Sequence, residues 1–104
     1  MSLDEAERRR TSEELRSNLT LSGLTVEEAA ADLGVTPERV RRMLGVTEGA
    51  GPAEVWQLRD YLDQAVRDAG GRPVPFTVLT DRARHLARVW FTLPQAPRHD
   101  FTPR

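Results

Sequence analysis

Apolar residues recur at helical spacing along most of the chain, and most of these stretches open on a residue able to cap a helix. The most compact arrangement lies in residues 25–46, TVEEAAADLGVTPERVRRMLGV. Thr25, with Glu28 three positions on, has the letters of a capping box, in which hydroxyl and carboxylate satisfy each other's backbone amides. Thr36 is placed to cap a second helix, with Pro37 at the first helical position, where a missing N–H costs nothing. Gly34 lies between them and accepts the positive φ that a sharp turn requires. Ala29, Ala30 and Leu33 put small and apolar groups on one face of the first helix. Val40, Met43 and Leu44 do the same at i, i+3, i+4 on the second. Small residues let the two helices cross closely, and Val35 can plug the corner. The stretch reads as a helix-turn-helix.

The flanking segments follow the same logic. Residues 2–20 read as helix in one or two pieces. Ser2 with Glu5 and Thr11 with Glu14 both have capping-box spacing, which places a break near Arg10 and Thr11. Leu15 and Leu19 form an i, i+4 pair able to lie over the helix-turn-helix, and Gly23 ends the segment. Residues 45–51, GVTEGAG, read as a flexible connection. The clearest periodicity runs over 52–69, where Val55, Leu58, Leu62, Ala65, Val66 and Ala69 form one stripe that Gly70 and Gly71 close. Trp56 and Tyr61 flank that stripe on opposite sides. Either the C-terminal segment or a second copy of the chain must cover them, and the C-terminal segment, with apolar residues of its own, is the preferred cover. Prolines 73 and 75 force extended backbone, so 72–79 reads as a short extended connector that presses Phe76, and Val78 or Leu79, on the core. Thr80 and Asp81 restart a helix with Ala83, Leu86, Ala87 and Trp90 inward and Arg82, Arg84, His85 and Arg88 outward. Pro94, Pro97 and Pro103 then break regular structure. The expectation is an all-α fold of about five helices around a helix-turn-helix, with a short extended connector before the last helix. It comprises a single domain over 1–91 and a loosely attached proline-rich tail over 92–104.

Composition narrows the function classes. The 104 residues are 38% hydrophobic and 30% charged, a balance suited to one globular domain with a heavily charged surface. No apolar run approaches the ~20 residues of a membrane span, and the opening MSLDEAERRR has no signal-peptide core, so a cytoplasmic protein without membrane contact is expected. Cysteine is absent, which removes disulfides and thiolate chemistry. All 15 basic residues are Arg, which a GC-rich coding bias explains as well as function does. The net charge is −1, so any nucleic-acid contact must come from a local patch.

That patch is sought on the second helix of the 25–46 unit. With Val40, Met43 and Leu44 turned inward, its outer arc displays Glu38, Arg41 and Arg42, with Thr36 and Arg39 at the edges. Arg can donate two hydrogen bonds to guanine and Glu can accept from cytosine N4, so this set can read base edges in the major groove of double-stranded DNA, while Thr36 and Arg39 contact backbone. The plain alternative is that Glu38 and Arg42, an i, i+4 pair in the favourable order, neutralise each other on a wet surface. Arg8, Arg9 and Arg10 read as a solvated face beside Asp4, Glu5 and Glu7, and the Arg82, Arg84 and Arg88 face has a weaker claim on phosphate. Enzymatic readings find no support: His85 and His99 have no nucleophile beside them, and neither HExxH nor a phosphate loop is present. Neither a cofactor, a metal nor a small-molecule ligand is expected, and Trp56, Trp90 and Phe91 are assigned to the core. The expected function is that of a small sequence-specific transcriptional regulator. A homodimer on paired half-sites, formed through the helix over 52–69, would supply affinity. The competing expectation is a protein-interaction module that keeps the helix-turn-helix fold without binding DNA.

From about Thr11 to Phe91 the chain also resembles an uncharacterised bacterial family, domain of unknown function 2316. The resemblance rests on TSEELRSNLTLSGLT, EEAAADLGVTPERVRRML, VWQLRDYL and PVPFTVLT in that order. It implies a stand-alone helix-turn-helix protein and supplies no catalytic residue, activity or ligand.

Overall fold

Helix starts in this chain are written in short polar side chains, and the computed structural model, which describes residues 3–102, shows most of them in use. Five helices are formed: α1 (Glu5–Ser22), α2 (Val26–Leu33), α3 (Pro37–Leu44), α4 (Pro52–Asp68) and α5 (Asp81–Trp90). No strand occurs among the described residues, so the fold is all-α. Thr25 accepts from the Glu28 amide while the Glu28 carboxylate accepts from the Thr25 amide, a complete capping box. Thr36 caps α3 through the Arg39 amide with Pro37 in the first turn, and Thr80 caps α5 through Ala83. Gly23 and Gly34 end α1 and α2 in the left-handed region, at φ 73° and 71°.

The N-terminal segment departs from expectation. α1 is one unbroken helix, and its capping box is Asp4 with Glu7; Ser2 lies outside the described residues, as does Pro103. Thr11 sits within the helix, where its hydroxyl donates to the Glu7 carbonyl at 2.8 Å and needs no helix start. Glu14 is also turned to another use. Buried on α1, its carboxylate accepts from the Thr77 amide at 3.1 Å and the Thr77 hydroxyl at 2.7 Å. One turn later the Asn18 amide group exchanges two hydrogen bonds with the Val74 backbone, at 2.8 and 3.0 Å. These two buried side chains hold the 72–79 connector in place without a sheet.

The core lies where α4 meets α1, α2 and α3. Val55, Leu58, Leu62, Ala65 and Val66 of α4 are buried, and they share the core with Leu15, Ala29, Ala30, Val40, Met43 and Leu44, which have at most 2% exposure. Leu19, Leu33 and Val35 pack at its edge. Phe76 and Leu79 press on it from the connector. Trp56 and Tyr61 are buried as well, each by the chain itself. Arg84 of α5 stacks its guanidinium 5.0 Å from the Trp56 ring centre, and Tyr61 donates to Asp32 of α2. The apolar stripe of α4 is therefore enclosed within one chain and does not offer the dimer contact expected of it. The 45–51 connection is also ordered by its own backbone. Val46 donates to Met43, Thr47 to Arg42 and Ala50 to Thr47.

α5 differs most from the expected pattern. Ala87 is its buried residue, Ala83 is half-buried, and Leu86 and Trp90 stand in solvent. Arg84, expected outside, turns inward to a bidentate pair with Asp60. After α5 the described residues 92–102 have no regular structure but are tied to the body. Leu93 and Ala96 pack on the core edge, Gln57 donates to the Gln95 carbonyl at 3.1 Å, and Arg98 clamps Asp68 through two nitrogens. His99 Nδ1 lies 2.6 Å from Asp32, and Phe101 meets the His99 ring edge-on at 4.6 Å.

Candidate nucleic-acid interface

α2 and α3 are joined by residues 34–36, and Val35 donates its amide to the Ala30 carbonyl at 3.0 Å, which fixes the turn. α2 packs on α3, and α3 turns Val40, Met43 and Leu44 inward and packs on α4. This leaves the opposite arc of α3 to solvent, with Glu38, Arg41 and Arg42 all exposed. The five residues singled out from the sequence are thus close along one short helix, and the structure sorts them into different circumstances.

Thr36 is a capping residue, its oxygen accepting from the Arg39 amide at 3.2 Å. Arg39 is not free at the edge. Its Nε donates to Glu54 at 2.7 Å and its Nη2 to the second carboxylate oxygen, a bidentate clasp between α3 and the first turn of α4. The hydrogen bond from Arg39 holds the Glu54 carboxyl below its ordinary range, and the same bond raises the Arg39 guanidinium. A phosphate contact by Arg39 would have to break this clasp. The Arg39 side chain therefore serves first to fix the angle of α3.

Arg41 keeps more than half of its side chain in solvent. It reaches Glu27 of α2 at 3.1 Å and Glu38 at 3.8 Å. Glu38 thus pairs at i, i+3 with Arg41, not at i, i+4 with Arg42 as the plain alternative supposed. Arg42 has no ion pair among the described residues, and its aliphatic stem passes beside Gly49. Exposed pairs of this kind are worth about 0–1 kcal/mol, so Glu27 and Glu38 hold Arg41 weakly and a polyanion can displace them. Glu27 and Glu54 are first-turn acids, a position that a helix dipole alone accounts for, so nothing in the sequence marks either as an arginine partner. Their match to Arg39 and Arg41 depends on how α2, α3 and α4 pack.

On the opposite side of α2, Asp32 receives both the Tyr61 hydroxyl and His99 of the tail. Burial first, and Asp32 second, push the Tyr61 phenol above its ordinary value. This cluster ties α2, α4 and the tail together. No group of three or more His, Asp or Glu able to hold a metal occurs among the described residues, and no helix is long and apolar enough to cross a membrane.

Fold and surface together define an all-α protein of five helices in which a short two-helix unit turns an arginine-bearing face to solvent. The chain belongs to a bacterial family described as an uncharacterized protein conserved in bacteria, domain of unknown function 2316, whose family profile covers residues 1–92. Comparison with curated proteins and with solved structures yields no match.

Proposed function

We propose that α2 and α3 act as a helix-turn-helix and that the protein binds double-stranded DNA, with α3 entering the major groove as a small transcriptional regulator. The observation that carries this reading is the placement of Arg41 and Arg42, adjacent on the outer arc of a capped helix, both exposed and neither tightly paired. Arg42 and Arg41 would read base edges, with Glu38 accepting from cytosine once Arg41 has moved to the DNA. The N-terminal amides of α3 would face a phosphate beside Thr36. Arg39 supports them by holding α3 on α4.

The local charge favours a second reading. Glu27 and Glu38 both pair with Arg41, and a surface of that balance suits a basic protein partner as a protein-interaction module. Salt separates the readings. Selection from random duplexes, followed by binding at rising salt, should give a preferred sequence whose affinity falls steeply with ionic strength. The Arg41→Ala, Arg42→Ala double variant should lose about 2–6 kcal/mol of affinity for that sequence and relax the preference at the positions the two arginines read. A folded double variant with full affinity, or failure to select any sequence, would remove the DNA reading in favour of the second.

A further inference from the structure

α5 is held to the body by the Arg84–Asp60 pair and by Ala87, but its large apolar residues are not used there. Leu86, Val89 and Trp90 are 52%, 76% and 70% exposed, and Trp90 and Phe91 line, with Val55 and Trp56, a groove of about 510 Å³. Arg82, Leu86 and Trp90 are four residues apart, so cation, leucine and indole lie along one stripe of the helix.

That order is self-complementary. Arg82 and Trp90 are eight residues apart, about 12 Å along the axis, with Leu86 midway. When a second α5 runs antiparallel across a two-fold axis through Leu86, the leucines meet and each Arg82 comes level with the partner subunit's Trp90, where a cation–π contact can form. A foreign partner would require no such internal match. We infer that α5 is the self-association surface of this protein, an antiparallel α5–α5 contact extended by the edge of the adjoining groove. A ten-residue helix offers less than the ~800 Å² per partner of a standard interface, so the dimer is weak, with a dissociation constant on the order of 10 μM. It stands independently of the DNA reading, because association is measured without DNA.

Sedimentation velocity of the full chain tests it. The mass should rise from 11.7 kDa toward twice that value as the concentration passes through the micromolar range. Leu86→Glu should remain a monomer with unchanged helical circular dichroism. Arg82→Glu should weaken association about tenfold through its two symmetric contacts. Leu21→Glu, on an exposed residue of α1, should dimerise as the parent does. A monomer at every concentration overturns the inference, including one that takes up an apolar dye such as anilinonaphthalene sulfonate in the groove. So does a dimer that Leu86→Glu leaves intact.

Discussion

Asn18 and Glu54 illustrate how single polar side chains fix this fold. Asn18 is fully buried on α1, and both ends of its amide group are used by the Val74 backbone. Asn18→Leu fills the space but leaves a partly buried amide and carbonyl unpaired. Chemical denaturation should show a loss of about 2 kcal/mol. Glu54 joins α3 to α4 through Arg39, whose hydrogen bond holds its carboxyl low. A carboxyl lowered on folding stabilises the native state at any pH above its ordinary value, and the contribution disappears as pH falls through the lowered one. Asp68, lowered by Arg98 and then by Gln64, follows the same sign. Denaturation midpoints should therefore decline in the acid range below the ordinary carboxylate values. The decline should be shallower in Glu54→Gln, which has no charge there to lose.

At the scale of the element, the starts of α2, α3 and α5 were legible because a cap is local: Thr25, Thr36 and Thr80 bond within their own first turns. The stop at Gly34 was legible for the same reason. Its φ is 71° and a Cβ there would touch nothing, so Gly34→Ala costs backbone strain alone, about 1 kcal/mol by thermal or chemical unfolding. The false break at Thr11 shows the limit of that argument. Thr11 and Glu14 have capping-box spacing, yet one hydroxyl bonds back to Glu7 and the carboxylate reaches across to Thr77. Such long-range partners leave no mark in a window of a few residues. The attachment of the tail is non-local in the same way. Prolines forbid a helix but not attachment, and Arg98 and His99 find Asp68 and Asp32 only after the chain has folded back. Truncation after Thr92 should lower stability by about 1–3 kcal/mol and speed proteolysis of the released α2 side, since Leu93 and Ala96 leave the core edge with the ion pairs.

For the molecule as a whole, the layering explains which surfaces remain available. α4 is enclosed by α1, α2, α3, α5, the connector and the tail, so Tyr61 is not left for a partner and Trp56 is reached only as part of the groove beside α5. Two exposed regions stay unexplained by folding alone: the outer arc of α3 and the apolar side of α5. The candidate arginines of α3 were legible as exposed because a three-residue apolar stripe fixes the opposite face. That Arg39 is clasped, and that Arg41 has two acidic neighbours, follows from inter-helix packing that spacing does not encode. With a net charge of −1, DNA affinity must depend on that small arc rather than on the field of the whole protein. The most direct test is an amide chemical-shift titration of the labelled protein with a selected duplex. The account predicts shifts concentrated on Thr36, Glu38, Arg41 and Arg42 and on the start of α2. Shifts confined to α5 and the tail, or spread without pattern at low salt and abolished at moderate salt, would contradict it.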